Sequence, residues 1–217
     1  MKLTLYYGSG STYAWRAHLA LEHKALPYEL KVLSFSAGDT RKPEFLALNP
    51  RHRVPVLVDD DFSLYESNAI VEYLDEAYPG RGAPLFPGDA RQRALIRRMI
   101  QEVDHYFAKA VDTLSDQVFS KKPEERDPQL IDKGKEKIAA EYALFTRSMR
   151  GEFLAGPLSA ADYALYPFVG FVGRCAIKLP EFDPDALLTP ELRAWKTRIE
   201  ALPYLERTIP PHWKKAA

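Results

Sequence analysis

The chain has 217 residues, and 30 Lys plus Arg balance 30 Asp plus Glu. That length suits one large domain or two small ones, and zero net charge offers no field for nucleic acid or an anionic membrane surface. A single cysteine, Cys175, excludes an internal disulfide framework and a Cys-x-x-Cys redox or zinc pair, and it fits a reducing compartment.

Residues 3 to 7, LTLYY, form a strand-like run with no signal-peptide pattern ahead of it. Gly8-Ser9-Gly10-Ser11 is a turn, and Thr12 to Lys24 reads as a helix with Trp15, Ala17, Leu19, Ala20 and Leu21 as inner positions. Leu26-Pro27 ends it, and Tyr28 to Leu33 is a second strand. Strand, helix, strand at this spacing predicts a right-handed βαβ unit. After a polar loop, Pro43 to Leu48 suggests a short helix.

The stretch NPRHRVPVLVDDDFSLYES, Asn49 to Ser67, then carries two signals. Val54-Pro55 enters a short apolar run and a hairpin turning at Asp59-Asp60-Asp61. Glu66-Ser67 opens a helix to about Tyr78, with Ile70, Val71, Leu74 and Ala77 at helical intervals. Ser67 reads as an N-cap, whose helix end favours a carboxylate. Glu66 can hold an ammonium. Val54 is biased to an extended backbone by the proline after it, and a cis Pro55 would let its peptide groups pair with an extended ligand. Together the two signals describe a pocket for a small peptide with a free α-amino-acid end.

Pro79 to Pro87 is rich in Pro and Gly and reads as a linker. Beyond it the periodicity is helical. Asp89 is a cap with Gln92 in the capping-box position, for a helix to about Phe119. Asp127-Pro128 starts another, reaching roughly Phe153 and tolerating Gly134. Ser159 and Asp162 form a second capping box before a buried helix, and Thr189-Pro190 opens one to about Leu202. The apolar run Ala160 to Gly173 contains Asp162 and Pro167 and is too short to span a bilayer. The expected organisation is an α/β domain over 1–80, a linker over 81–87 and an all-helical domain over 88–217, in a soluble cytoplasmic protein.

The residues Ser11-Thr12-Tyr13, Asn49-Pro50 through Val54-Pro55-Val56-Leu57, Glu66-Ser67-Asn68-Ala69-Ile70 and Ser159 through Leu165 resemble the glutathione transferase superfamily over nearly the full chain. The resemblance implies a thioredoxin-like N-terminal domain plus an all-α C-terminal domain, glutathione as co-substrate, a small hydrophobic electrophile, a role in detoxification and a homodimer. It implies that Val54 bonds the cysteinyl backbone with Pro55 cis, that Glu66 and Ser67 hold the γ-glutamyl end, and that Arg53, ahead of His52, reaches the glycyl carboxylate. Ser159 to Asp162 then looks like the family's folding element.

A free thiol has a pKa of about 8.5, and lowering it by about 2 units takes about 2.7 kcal/mol. One hydrogen bond to a charged group supplies about 1.5–3 kcal/mol. A hydroxyl at the tip of the first helix is therefore sufficient, helped by the helix dipole. Ser11 matches the donor of serine-type relatives, while Ser9, Thr12, Tyr6 and Tyr7 are the alternatives in the same turn and strand end. The turn has no cysteine, which sets aside cysteine-type chemistry, and Ser11-Thr12-Tyr13 departs from the Ser-Ser-Cys of zeta-like isomerases. Tyr13, His105, Tyr106 and Arg174 are candidates to line the electrophile's site. The five histidines show no metal-ligand spacing, so no metal site is expected. Isomerisation, dehalogenation, peroxide reduction and a non-catalytic scaffold are the alternative outcomes on the same fold.

Overall fold

Strand β1 (Leu3–Gly8) sits inside a four-stranded sheet of order β2-β1-β3-β4, with β2 (Tyr28–Leu33) parallel to it, and β3 (Val56–Asp59) and β4 (Phe62–Tyr65) antiparallel. The register sets Leu5 opposite Leu30 on one side and Leu57 on the other, and Leu57 opposite Leu64. This computed structural model describes residues 2–214. They form two units: 2–86 with 203–214, and Pro87–Leu202.

In the first unit, α1 (Thr12–His23) follows β1, α2 (Pro43–Leu46) is a single turn, and α3 (Ser67–Ala77) follows the hairpin. Helix α1 buries every residue from Ala14 to Leu21, charged ones included. A helix covered on all sides shows no clean apolar stripe. Here α1 packs on β1, on α3, and on a short C-terminal helix, α9 (Leu205–Thr208). Residues 203–214, expected from sequence at the end of the helical region, thus pack with the α/β unit. Thr208 is the anchor: its buried hydroxyl accepts from Trp15 Nε1 at 2.8 Å and donates to the Leu205 carbonyl at 2.8 Å.

The expected linker 81–87 is tied down in part. The Leu85 and Phe86 amides donate to the Asp75 carboxylate at 2.8 and 3.1 Å, and that carboxylate also pairs with the buried Lys24 ammonium at 3.2 Å. A buried charge is tolerable only when paired in this way.

The second unit is helical, apart from one isolated bridge between Phe153 and Gly156. The helix expected from Asp89 to Phe119 is α4 (Ala90–Glu102) and α5 (Ala108–Ser115), each followed by a wide turn, Val103–Phe107 and Asp116–Ser120, that winds with i→i+5 bonding. The Asp89 carboxylate caps α4 through the Gln92 amide at 2.9 Å, but the Gln92 side chain reaches the Ala155 carbonyl and does not close a box. Helix α6 (Pro128–Ser148) starts on the Asp127 cap, as the Asp-Pro pair predicts, and ends five residues before Phe153. Its Gly134 lies against α5, where a Cβ would sit 3.0 Å from Leu114 N.

Helix α7 (Ala160–Ala176) is the unit's buried axis, and α8 (Pro190–Glu200) follows it. Phe107, Tyr142, Phe145 and Phe168 form an aromatic core with centroids 5.1 to 6.3 Å from Phe107. Asp162, fully buried, accepts from Leu154 N, Ser159 N, Ser159 Oγ and Trp195 Nε1 at 2.8 to 3.1 Å. Burial pushes its carboxyl up to about 6 against the pull of those four donors, so it is ionised at neutral pH. Among the described residues, no helix is long and apolar enough to cross a membrane.

Candidate active site

The turn from β1 into α1 positions the first group. Gly10 takes φ +90°, where glycine bears no steric penalty. Ser11 N donates to the Gly8 carbonyl at 3.0 Å. Ser11 itself is extended and caps α1, its Oγ accepting from Ala14 N at 3.2 Å. A hydroxyl has one O–H and two lone pairs. The Ala14 N–H occupies the acceptor side, so the O–H is left for an incoming acceptor at the positive end of the helix dipole. Capping and donation are compatible roles for the same oxygen.

The neighbouring hydroxyls are placed differently. Ser9 Oγ lies 2.6 Å from His212 Nδ1. Thr12 is the first helical residue. Tyr7 is buried, with its phenol against the Gly10 backbone, and burial pushes that phenol further up, so it stays neutral. Tyr6, on the opposite face of β1, stacks against Phe45 at 6.0 Å and receives Lys31 Nζ at 3.4 Å.

The second group comes from the loop before β3. Buried Asn49 organises it: its side-chain amide donates to the Arg53 carbonyl at 2.7 Å and its carbonyl oxygen accepts from Arg51 N at 3.0 Å. His52 takes φ +46°, and His52 and Arg53 are both exposed. The Val54–Pro55 peptide bond is cis. Pairing within the sheet starts at Val56, opposite Tyr65, so the Val54 peptide groups lie beyond the ladder's own pairing.

The third group departs from the sequence expectation. Ser67 is the first residue of α3, not its cap; Glu66 holds the cap position with φ 71° and ψ 112°. That backbone region is costly for a side chain with a Cβ and is found where the surrounding structure enforces it, often at binding sites. Glu66 is exposed, while Ser67 is buried. Ser67 Oγ accepts from Arg16 NH1 at 3.2 Å, and Asn68 Oδ1 takes the same nitrogen. Arg16, on α1, is 1% exposed and lies 5.3 Å from the Tyr13 ring centroid. Sequence reasoning missed Arg16; the signal was a charged residue inside an otherwise apolar helix stretch.

Phe35 was missed as well. It is 54% exposed, yet its ring covers Gly8: a Cβ there would meet Phe35 Cζ at 2.3 Å and Val54 Cγ2 at 2.9 Å. An exposed aromatic ring and the Val54 side chain thus both lie against Gly8, where β1 enters the turn. Of the residues expected to face an electrophile, Tyr13 is exposed on α1. His105 bonds Gln101 Oε1 at 3.0 Å, and Tyr106 lines a cleft of about 240 Å³ with Glu102, Glu141, Leu144, Phe145 and Ser148. Arg174 lies in the last turn of α7. Among the described residues, no group of three or more His, Cys, Asp or Glu is arranged to hold a metal ion.

A thioredoxin-like unit with a cis-proline loop, followed by a helical unit, defines a class of two-part proteins. The comparisons place the chain within that class. Residues 10–77 match the glutathione S-transferase N-terminal domain and residues 103–203 the C-terminal domain. Glutathione S-transferase A of Pleuronectes platessa is 29% identical over 97% of this chain and 92% of its own length. The crystal structure of a glutathione S-transferase from the Antarctic clam Laternula elliptica is 30% identical and superposes with a TM-score of 0.84, covering 100% of this chain and 95% of that one. A theta class glutathione S-transferase from Xanthomonas axonopodis pv. citri, solved with glutathione bound, is 25% identical with a TM-score of 0.79, covering 95% and 96% of the two chains. The chain belongs to the glutathione S-transferase family.

Proposed function

We propose that glutathione lies across the first unit with its cysteinyl backbone on Val54, its γ-glutamyl end at Glu66 and Ser67, and its sulfur at Ser11. The activity is that of a glutathione transferase with glutathione as co-substrate. The observation that carries the residue assignment is a shared arrangement of two serines. Ser11 Oγ accepts from Ala14 N, and Ser67 Oγ accepts from Arg16. Each hydroxyl is thereby left as a donor, one for a thiolate and one for a carboxylate.

The electrostatics agree with these roles. The buried Arg16 guanidinium behind Ser67 favours an anion at that hydroxyl. Glu66 supplies the opposite charge for the ammonium of the same amino-acid end. Arg53, ahead of His52, reaches for the glycyl carboxylate. Phe35 offers an apolar surface to a small hydrophobic electrophile beside the sulfur. In the reaction, the thiol loses its proton to solvent, Ser11 donates to the resulting thiolate, and the sulfur lone pair forms a C–S bond to the electrophile. Where that carbon bears a leaving group, the group departs with its electron pair; where it is part of a double bond, the π pair shifts to the neighbouring atom, which takes a proton from solvent. Ser11 keeps its proton throughout and is no nucleophile.

Capture on immobilised glutathione, followed by turnover of chlorodinitrobenzene, tests the reading. Retention with turnover is expected. Retention with no turnover across a panel of electrophiles would make the chain a binding module. We further propose a homodimer, for which sedimentation equilibrium should return twice the chain mass.

A further inference from the structure

Residues 203–214 do more than cover α1. They continue from the Thr208 anchor to the turn that carries Ser11. Trp213 stacks edge-on against Trp15 at 5.3 Å, and its amide donates to the Pro210 carbonyl at 2.8 Å. Next to it, His212 Nδ1 lies 2.6 Å from Ser9 Oγ. The same imidazole covers Gly10: a Cβ there would sit 2.9 Å from His212 Cε1 and 3.4 Å from Nε2. Gly10 is therefore required twice, by its φ of +90° and by the ring above it.

We propose that His212 is a positioning residue for thiolate formation. It holds the Ser9 hydroxyl and presses on Gly10, which fixes the peptide leading into Ser11 and so aims the Ser11 O–H. In the tautomer with Nδ1 unprotonated, the Ser9 O–H donates to it and is withheld from the sulfur. Preorganised donors act because they need no rearrangement as charge develops. Removing the clamp leaves Ser11 present but loosely aimed, and a small misplacement of such a group is costly to rate. The γ-glutamyl and cysteinyl contacts are assigned to α3 and the Val54 loop, and not to His212, so affinity for glutathione should be spared. This inference rests on the glutathione reading above.

The test compares wild type with His212→Ala, His212→Asn, Ser9→Ala and the Ser9→Ala/His212→Ala double variant. Glutathione affinity is read by calorimetry, kcat with chlorodinitrobenzene, and the pKa of bound thiol by ultraviolet titration. Loss of one neutral hydrogen bond predicts a fall in kcat of about fivefold or more for each single alanine variant. Glutathione Kd should hold, and the thiol pKa should rise. The double variant should fall no further than either single one, because both remove one contact. Asn at 212 can still reach Ser9 and should restore most of the rate. Should His212→Ala fail to fold, Ser9→Ala reads the same contact with the Trp213 packing intact. An unchanged kcat in both single variants overturns the inference while leaving the glutathione reading in place. So does an equal loss of affinity and turnover. A wild type that does not bind glutathione overturns both.

Discussion

Replacing Ser11 with alanine removes two interactions from one oxygen, and each has its own readout. The Ala14 N–H loses its acceptor, and loss of an N-cap costs about 1 kcal/mol of stability. The thiolate loses a donor worth about 1.5–3 kcal/mol, which raises the pKa of bound glutathione by about 1–2 units. With a wild-type value of about 6.5, half the bound thiol is ionised at that pH; in the variant the fraction falls to about 1–10%. Turnover should therefore drop about 5–50-fold at pH 6.5 and approach wild type near pH 9, where both thiols are largely ionised. The assay is kcat/KM for chlorodinitrobenzene against pH, with a denaturation curve to read the cap. Ser11→Thr keeps a hydroxyl and should retain the low inflection. An inflection that stays put in Ser11→Ala, with or without a uniform loss of rate, refutes the assignment and passes the role to a neighbour.

Ser67→Ala should weaken glutathione binding about tenfold or more, the worth of one hydrogen bond to a carboxylate, with kcat nearly unchanged; calorimetry and kinetics together check this. Asp162→Ala leaves four buried donors without an acceptor and should cost about 3–5 kcal/mol in denaturant unfolding. The folded carboxyl of Asp162 sits at about 6, above its ordinary 3.8. Its protonated form thus favours the native state, a contribution full below pH 3.8 and lost as pH rises through 6. The stability gap between wild type and Asp162→Ala should therefore shrink from pH 4 to pH 7, by up to about 3 kcal/mol. Gly134→Ala should destabilise by about 1–3 kcal/mol despite better helix propensity, because the new Cβ meets the α5 backbone at Leu114; thermal unfolding reads the sign.

What the sequence disclosed was local, and what it hid was distant. The strands at 3–7 and 28–33, the hairpin through Asp59-Asp61 and the caps at Asp127, Ser159 and Thr189 rest on side chains within a few residues of the backbone they satisfy. The Gln92 box failed because a carbonyl 63 residues away competed for the side-chain amide. Ser67 reads as a cap because its type and place fit one. Yet Glu66, held at positive φ, takes that position, and no residue-type preference signals a strained glutamate. Helix α1 carries Arg16 and His18 inside, with burial lowering the His18 imidazole to about 4 and keeping it neutral. Such residues look like a solvated face until their partners are known. The candidate site could be proposed at Ser11, Val54, Pro55, Glu66 and Ser67 because three short segments carry these residues. Phe35, Arg16 and the bonding role of Asn49 emerged only when the loop, the turn and α1 came together. The return of 203–214 to the first unit links Ser9 with a histidine 203 residues on, beyond the range of any periodicity.

The most direct measurement is the ultraviolet titration of glutathione bound to the wild-type protein. The thiolate absorbs where the thiol does not, so the band reports ionisation at the sulfur itself. The account predicts saturable binding and a midpoint about 1–2 units below the ordinary thiol value of about 8.5. A bound thiol that titrates at its free value, or no saturable binding, would contradict it.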